Sequence, residues 1–183
     1  KCNSDHIIDH TFGRKYNYHG NKKILIGVKN FPICSKLKFQ DRNIILINFG
    51  SIKSKNLIKK SLILIKNIKL NKSIKIVIIN NFYSKKDSQF IKLENKIINY
   101  KFITNIEKLY QKTLFSIGAC GISLYERCFY NIPCVSKSVA LNQSYNFKNF
   151  LNHNCILDFD KIVSLSLQKS INHDKFLNKT NKI

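Results

Sequence analysis

The sequence contains no methionine at all. A translated protein begins with methionine, so a chain that starts at Lys1 and has none is expected to be a fragment of a longer reading frame. Its 183 residues are enough for one α/β domain, or for one domain and part of another. No apolar run reaches the roughly 18 residues of a transmembrane helix, and the sequence predicts no signal peptide. We therefore expect a soluble, cytoplasmic protein without a transmembrane segment.

Acidic residues are scarce: ten stand against 32 lysines and arginines, which gives a formal net charge of +22. Such an excess invites a nucleic-acid function. The lysines are scattered over predicted helices and loops, however, and no stretch interleaves basic with aromatic residues as a single-strand groove requires. Because lysine, isoleucine and asparagine have AT-rich codons, genome composition is the simpler explanation, and no nucleic-acid partner is expected.

The six cysteines form no Cys-X-X-Cys pair, and the five histidines lack the spacing of zinc ligands. Cys128 lies on a predicted helix and Cys134 on a predicted apolar strand, so buried, reduced thiols are expected, as in a reducing cytosol. The sequence predicts no metal site and no cofactor. It also contains no Ser-His-Asp order and no carboxylate pair that would indicate a catalytic centre.

Short apolar runs alternate with helical patterns along most of the chain. Continuous apolar runs are typical of parallel strands that are covered on both faces. The alternation predicts a Rossmann-like parallel α/β sheet with helices on both faces and right-handed crossovers. Strands are predicted over residues 6–9, 23–27, 44–49, 74–79, 99–103, 114–117, 133–139 and 155–158. Helices are predicted over residues 56–68, 85–95, 106–112, 123–132, 145–151 and 160–168.

Three regions follow from this pattern. Residues 1–42 are predicted to end one domain and to form a connector, residues 43–172 to form the regular domain, and residues 173–183 to be a polar tail. The most informative part is residues 114–143: an apolar strand, a small-residue turn, a helix that must end before Pro133, a second strand and a polar loop. In an open α/β sheet, ligands bind outside the carboxyl ends of the strands.

Two turns of this domain could bind a phosphate. Gly50 and Ser51 follow the first strand, and Gly121 and Ser123 lie where a later strand passes into its helix. A helix N-terminus offers unpaired N–H groups and the positive end of the helix dipole, and glycine lets a ligand approach the backbone. Alone, the first is a weak signal that a simple tight turn also explains, and the second is also explained by packing of a helix against a strand, but two such turns in one domain are more informative.

Three further side chains could contact a nucleotide sugar. Glu126, one turn into its helix, could accept both hydroxyl groups of a ribose, or it could only stabilise the helix N-terminus. Asn142 and Gln143 are neutral amides that both donate and accept, which suits sugar hydroxyl and acetamido groups. The alternative for these two amides is an ordinary solvated loop.

Taken together, these pieces resemble a known family. The stretch IGACGISLYERCFYNIPCV followed by ALNQ is similar to the GAGGSTxxE…GxP…NQ signature of the UDP-sugar hydrolases of pseudaminic acid biosynthesis. The lipid-linked N-acetylglucosaminyltransferases of peptidoglycan synthesis share it more loosely. ILINFGSIKSKNLIKKSL resembles the hydrolases' FGGxDxxNLT turn, and DHTFGR followed by ILIG resembles their DQxxGR…LLG connector. The likeness covers roughly residues 5–160, and the connector favours the hydrolase.

The resemblance implies the C-terminal, UDP-binding half of a glycosyltransferase-B fold and a UDP-sugar substrate that is cleaved at the sugar–UDP bond. In this family the catalytic histidine lies in the N-terminal domain, which is expected as a partner outside this chain, so no catalytic residue is assigned here. The residues implied in UDP binding are Gly50, Ser51, Ile106, Gly121, Ser123 and Glu126. Those implied in sugar binding are Asn142 and Gln143.

The chain also departs from the family pattern. Ser51 replaces a glycine and Lys53 an aspartate of the first turn, while Cys120 replaces a glycine and Ile122 a small hydroxyl residue of the second. Ile122 removes a possible phosphate donor, which we expect to cost about 1 kcal/mol. These departures keep two alternatives open: a transferase of the same architecture, and a non-catalytic remnant of either enzyme.

Overall fold

The computed structural model describes residues 6–13, 23–31, 41–52, 54–68, 70–84 and 91–168. Within these ranges lie eight strands, five α-helices and two 3-10 helices. The strands are β1 (His6–Asp9), β2 (Lys23–Ile26), β3 (Ile44–Asn48), β4 (Lys75–Ile79), β5 (Ile97–Tyr100), β6 (Thr113–Ala119), β7 (Cys134–Lys137) and β8 (Leu157–Asp158). The α-helices are α1 (Lys55–Asn67), α2 (Glu107–Tyr110), α3 (Ile122–Phe129), α4 (Ser144–Asn152) and α5 (Phe159–Gln168), and the 3-10 helices are Val28–Asn30 and Leu141–Gln143.

Strands β3 to β8 form one parallel sheet in the order β5-β4-β3-β6-β7-β8. Counted from β3, this is the 3-2-1-4-5-6 order of dinucleotide-binding folds. The strand order reverses between β3 and β6, and in such sheets the crevice at this switch point is where ligands bind. The predicted Rossmann-like parallel sheet is confirmed.

The apolar run of β3 is explained by burial on both faces of the sheet. Ile45 and Ile47 are fully buried and pack in the cluster that also contains residues of α1 and α5. Ile44 and Leu46 point to the opposite face and pack in a cluster with Tyr110 of α2. Since neither face is open to water along residues 44–47, these four positions are all apolar, and the polar residue Asn48 comes only at the end of the strand.

Two predicted elements differ most from the structure, and the strands predicted over residues 133–139 and 155–158 are shorter, at Cys134–Lys137 and Leu157–Asp158. Of the helix predicted over residues 85–95, residues 85–90 lie outside the described part, and residues 91–95 are not helical. The reason is visible at Asn95, which is buried and donates from its side-chain amide to the carbonyl oxygens of Asn71 (2.8 Å) and Ile74 (2.9 Å). These bonds hold the segment in an irregular path at the start of β4. The strand predicted over 99–103 begins two residues earlier, at Ile97, where it pairs with β4.

The predicted connector packs against the large sheet's helices. Strands β1 and β2 pair in parallel, and the Gly27 N–H donates to the Asp9 carbonyl at 2.8 Å. The Phe12 N–H donates to the hydroxyl of Tyr125 on α3 at 3.0 Å, and the Phe12 carbonyl accepts from the Asn149 side-chain amide of α4 at 2.9 Å. The connector is therefore hydrogen-bonded to α3 and α4 through its own backbone.

The predicted tail, residues 173–183, lies outside the described residues. In the described part of the chain, no helix combines the length and the apolar character needed to cross a membrane.

Candidate functional site

The two predicted phosphate turns lie side by side at the switch point of the sheet. Strands β3 and β6 are neighbours, and Asn48, the last residue of β3, pairs with Gly118 of β6. The turn after β3 and the turn after β6 therefore leave the same edge of the sheet together. The sequence predicted each turn separately, and the pairing of β3 with β6 places both turns at the switch point of the sheet.

The first turn is open to solvent. Gly50 has φ of +75°, a left-handed conformation that favours glycine, and its N–H donates to the Asn48 side-chain oxygen at 2.9 Å. A Cβ on Gly50 would meet no atom within 4 Å, so the space beside this backbone is free. Ser51 follows it and is exposed. The glycine is thus required by backbone geometry, and the turn remains accessible to a ligand.

A buried asparagine holds this turn, and sequence reasoning did not single it out. Asn80 directly follows β4, is only 2 % exposed, and donates from its side-chain amide to the Ser54 hydroxyl at 3.0 Å and to the Ile52 carbonyl at 3.3 Å. Its side-chain oxygen accepts the Phe82 N–H at 2.8 Å. Asn80 therefore ties the loop between β3 and α1 to the end of the next strand.

The second turn brings two strands into unusually close contact. A Cβ on Gly118 would lie 2.1 Å from the Asn48 carbonyl oxygen and 2.8 Å from the Arg127 Nη1 atom, so only glycine fits here. Gly121 precedes α3 at its N-terminus. The hydroxyl of Ser123 is half-buried and bonds to none of the described residues. The turn thus leaves the first N–H groups of α3 facing the same edge as the Gly50 turn.

Glu126 is oriented by a tyrosine from a neighbouring helix. The Tyr110 hydroxyl of α2 donates to the Glu126 Oε2 atom at 2.9 Å. Burial raises the pKa of Tyr110 far above its usual value, so the hydroxyl stays protonated and acts as the donor in this pair. The first turn of α3 contains no acidic residue, because Glu126 is its fifth residue. The alternative role at the helix dipole is therefore not supported, since that effect fades beyond the first turn.

The side-chain amides of Asn142 and Gln143 differ in burial and in hydrogen bonding. Gln143 is half-buried, and its Oε1 atom accepts the Val139 N–H at 3.1 Å. Its Nε2 atom lies 3.4 Å from the position that a Cβ on Gly121 would occupy, so Gln143 stands beside the second turn. Asn142 is exposed in the 3-10 helix Leu141–Gln143. The solvated-loop alternative thus fits Asn142, whereas Gln143 is held against the turn.

Ile106 lies at the start of α2 and packs on the core of one sheet face with Tyr110. Tyr110, on the helix that follows Ile106, reaches Glu126. The Ile106 side chain is thus accounted for by packing. The preceding residues 104–105 are exposed on the same edge of the sheet, and the Asn105 side-chain oxygen accepts the Lys108 N–H at 3.2 Å.

Arg127 is the largest fully buried side chain of the described residues, and sequence reasoning did not assign it a role. Its Nη2 atom donates to the Ala119 carbonyl at 2.7 Å and its Nε atom to the Ser123 carbonyl at 2.9 Å. Its Nη1 atom donates to the Ser116 hydroxyl at 3.3 Å. The signal was present in the sequence, since only three arginines occur and this one lies inside the helix of the family signature.

A thiol lies close to this arginine. Burial alone would raise the pKa of Cys134, but a hydrogen bond with the Cys128 thiol, the charge of Arg127 and the Ser116 hydroxyl together lower it to about 7. The Cys128 pKa is raised, first by the same thiol–thiol bond and then by burial. Both thiols are free, as the sequence predicted.

The residues that depart from the family pattern lie in different environments, one in the core and one exposed to solvent. Cys120 is fully buried and packs among residues of α3 and α4, so its extra bulk points into the core. Burial raises its pKa to about 12. Ile122 is 63 % exposed at the start of α3, where it presents an apolar side chain to solvent. Lys53 lies outside the described residues.

A cavity of about 420 Å³ lies elsewhere, between the connector and α3 and α4. Aromatic residues line it, among them Phe12, Phe31, Tyr125 and Phe150. Tyr125 stacks on Phe31 with ring centroids 5.2 Å apart, and its ring edge meets Phe150 at 5.1 Å. None of the predicted site residues lines this cavity, so it is a feature of connector packing and separate from the switch point.

Comparisons with known proteins show a similarity to solved structures. No family model matches the sequence, and no curated protein sequence matches it. Among solved structures, MurG of Acinetobacter baumannii is similar with a TM-score of 0.58 and 14% identity, over 90% of this chain and 52% of that chain. The glycosyltransferase SsfS6 of Streptomyces sp. SF2575, complexed with thymidine diphosphate, gives 0.52 and 10% identity over 79% of this chain and 37% of that one.

A putative UDP-N-acetylglucosamine 2-epimerase from Listeria monocytogenes gives a TM-score of 0.51 and 10% identity, over 93% of this chain and 45% of that chain. The chain thus spans 37% to 52% of the length of these three structures. At sequence identities this low, the similarity shows the fold alone. The chain has a parallel α/β fold like that of the Rossmann-like half of the glycosyltransferase-B architecture.

Proposed function

We propose that this chain is the UDP-binding half of a UDP-sugar hydrolase that cleaves the sugar–UDP bond in the biosynthesis of pseudaminic acid or a related nonulosonic acid. In this proposal residues 43–172 form the UDP-binding domain, and residues 1–42 form the end of an N-terminal domain and the connector to it. The N-terminal domain supplies the base that activates water. No residue of this chain is assigned a catalytic role.

The observation that carries the proposal is the juxtaposition of the two turns at the switch point. Gly50 and Ser51 leave β3 beside Gly121 and Ser123, and Gln143 is held against the second turn. Parallel sheets of this order bind nucleotides in this crevice. The N–H groups at the start of α3 are suited to the diphosphate and to the charge that develops on it when the sugar–UDP bond breaks.

Glu126 is proposed to bind the ribose. Its Oε2 atom is hydrogen-bonded by Tyr110, which fixes the orientation of the carboxylate and leaves Oε1 to accept hydroxyl groups. The proteins with similar folds agree with this class of ligand: one was solved with thymidine diphosphate, and another is described as an epimerase of a UDP-sugar. Asn142 and Gln143 are proposed to contact the sugar, and Ile106 to lie near the uracil.

The choice of hydrolase over transferase rests on the connector. Asp9, Gly13 and Gly27 of the hydrolase-like connector each have a structural function in this chain. The Asp9 carboxylate accepts the Thr11 N–H at 3.0 Å, and Gly13 and Gly27 have φ of +70° and +98°. These residues support a connector of the hydrolase type. A MurG-like transferase remains the second candidate, because the overall fold is shared.

Calorimetric titration with UDP tests nucleotide binding by the folded chain. We expect UDP to bind, with a dissociation constant below about 1 mM, and uridine to bind more weakly because it lacks the diphosphate. Absence of UDP binding at millimolar concentration, with folding verified by circular dichroism, would refute the proposal. A signal from DNA that UDP does not displace would favour nucleic-acid binding instead.

The ribose role of Glu126 is tested by Glu126→Ala. We expect the variant to lose UDP affinity by about tenfold while inorganic pyrophosphate binds unchanged, because only the nucleoside part loses its contact. Glu94→Ala is the matched control: Glu94 is exposed and pairs with Lys72 on the surface. Equal losses for UDP and pyrophosphate would contradict the role.

Hydrolysis and transfer are separated by an assay on the full-length gene product. UDP-sugar is supplied without any acceptor, and UDP release is measured. Prompt UDP release supports the hydrolase, whereas release that requires an added acceptor supports the transferase. Binding of UDP without turnover in either assay supports the non-catalytic alternative.

A further inference from the structure

Arg127 places a positive charge in the interior of the domain, where charged groups are usually paired with an opposite charge. Its side chain is 0 % exposed, and no carboxylate of the described residues lies within ion-pair distance of it. Burying a guanidinium is costly unless it is paired, and an apolar residue of similar size would often be more stable. Simple packing therefore does not account for an arginine at this position.

The contacts of Arg127 connect both ends of the second turn. The Ala119 carbonyl belongs to the last residue of β6, and the Ser123 carbonyl to the second residue of α3. One planar guanidinium binds both, so the path of the turn from strand to helix depends on it. The absence of a Cβ on Gly118 makes room for the Nη1 atom.

The charge lies directly behind this turn, in an environment that water does not screen. A guanidinium stays ionised in proteins, and buried charges act more strongly than exposed ones. Near it lie the Ser116 hydroxyl, which accepts its Nη1–H, and the Cys134 thiol, to which that hydroxyl donates; both come from the sheet. The turn therefore has a fixed positive charge on its inner side in addition to the N–H groups on its outer side.

We propose that Arg127 is a positioning residue for the diphosphate: it holds the second turn in its binding shape and supplies a buried positive charge behind it. This inference rests on the proposed nucleotide function and names the phosphates as the part of the ligand that Arg127 serves. Arg127 does not touch the ligand. It acts through the backbone of Ala119 and Ser123 and through its electrostatic field.

The test compares the affinities of UDP and uridine in three proteins: wild type, Arg127→Lys and Arg127→Met. We expect Arg127→Met to lose UDP affinity by roughly tenfold with little change for uridine, because only UDP carries the phosphates. Arg127→Lys keeps the charge but not the planar fork, so an intermediate loss is expected. Lys66→Met, an exposed change on α1, is the control for loss of one positive charge and should leave both affinities unchanged.

The outcomes separate the two proposals. If wild type fails to bind UDP, the proposed function is wrong whatever the variants do. If wild type binds UDP and folded Arg127→Met keeps the same ratio of UDP to uridine affinity, the role of Arg127 is wrong, because a merely structural residue would not change that ratio.

A measurement on wild type covers the case in which both variants fail to fold. The Arg127 Nε–H is hydrogen-bonded to the Ser123 carbonyl, so its NMR signal should be protected from exchange. Only Arg14 and Arg42 could be confused with it, and replacing each of them by lysine in turn assigns the remaining signal by exclusion. We expect it to shift with UDP and with pyrophosphate but not with uridine. An unchanged signal at saturating UDP overturns the proposal.

Discussion

The turn after β3 and the turn after β6 lie side by side, yet different side chains hold them. The first has a left-handed glycine in open space, and the neutral amide of Asn80 fastens its loop from the next strand. In the second turn a glycine packs against a neighbouring backbone. The charged side chain of Arg127, on the helix that follows the turn, holds the turn by donating to the Ala119 carbonyl. Glycine therefore has two separate functions at this switch point. Gly50 provides a left-handed backbone conformation in the first turn, and Gly118 allows the close approach of two backbones in the second.

The largest effect is expected when the two glycines are exchanged for alanine. Gly118→Ala puts a methyl group 2.1 Å from the Asn48 carbonyl, which no side-chain movement can relieve. We expect it to lower the free energy of unfolding by about 3 kcal/mol or more, or to prevent folding. Gly50→Ala only forces a left-handed alanine into free space and should cost about 1 kcal/mol. Urea unfolding of both variants measures the difference, and equal losses would contradict the account of the two turns.

The next effect concerns the amide that holds the first turn. Asn80→Ala removes the bonds to Ser54 and Ile52 and the side-chain acceptor of the Phe82 N–H. We expect a loss of about 2 kcal/mol in the free energy of unfolding, because buried polar groups become unpaired. Its exposed neighbour supplies the control: Asn81→Ala should change stability by less than about 0.5 kcal/mol. A loss no greater than that of the control would mean that Asn80 does not hold the turn.

The second turn should instead respond to pH through the thiol beside Arg127. The folded pKa of Cys134, about 7, lies below its usual value of 9.0, so the unfolded chain binds more protons between these values. The stabilisation is therefore complete above the unfolded pKa and is lost as the pH falls through about 7. Between pH 6.5 and 8 we expect the Cys134 contribution to the free energy of unfolding to rise by about 1 kcal/mol.

Cys134→Ala should abolish this rise, while Cys155→Ala should keep it, because burial raises the pKa of Cys155 and moves its titration to higher pH. Chemical denaturation of the three proteins at several pH values measures the slopes. The same slope in Cys134→Ala as in wild type would show that the Cys128 thiol, Arg127 and Ser116 do not stabilise the Cys134 thiolate.

The smallest effect is expected at the pair that orients Glu126. Tyr110→Phe removes one hydrogen bond to the Glu126 carboxylate and should cost about 1 kcal/mol of stability and a few-fold of UDP affinity. The double-mutant cycle with Glu126→Ala isolates the pair, because Tyr110→Phe should have no further effect on UDP once the carboxylate is gone. Additive losses in UDP affinity would contradict an orienting role for Tyr110.

The sheet and the two turns could be predicted because their signals are local. Apolar runs such as residues 44–49 and small-residue turns such as Gly118–Gly121 depend on neighbours in the chain. The contacts of Asn80, Tyr110 and Arg127 could not be predicted, because each depends on which elements become neighbours in space. Arg127 in particular follows Glu126 in a helical pattern, where an arginine is usually exposed.

The same limit explains the predicted helix over residues 85–95, which is wrong for residues 91–95. Its polar pattern was compatible with a surface helix. The side chain of Asn95 finds carbonyl partners at the start of β4, more than 20 residues earlier, and such a long-range bond leaves no local signal.

The central claim is that the edge formed by the two turns binds a UDP moiety. A titration of the ¹⁵N-labelled chain with UDP, followed by backbone amide shifts, tests it most directly. The account predicts that the shifted amides cluster at Gly50, Ser51, Gly121, Ser123 and Gln143, with saturation below about 1 mM. Saturable shifts confined to other regions, such as the aromatic cavity beside Phe12, or no shifts at all, would contradict it.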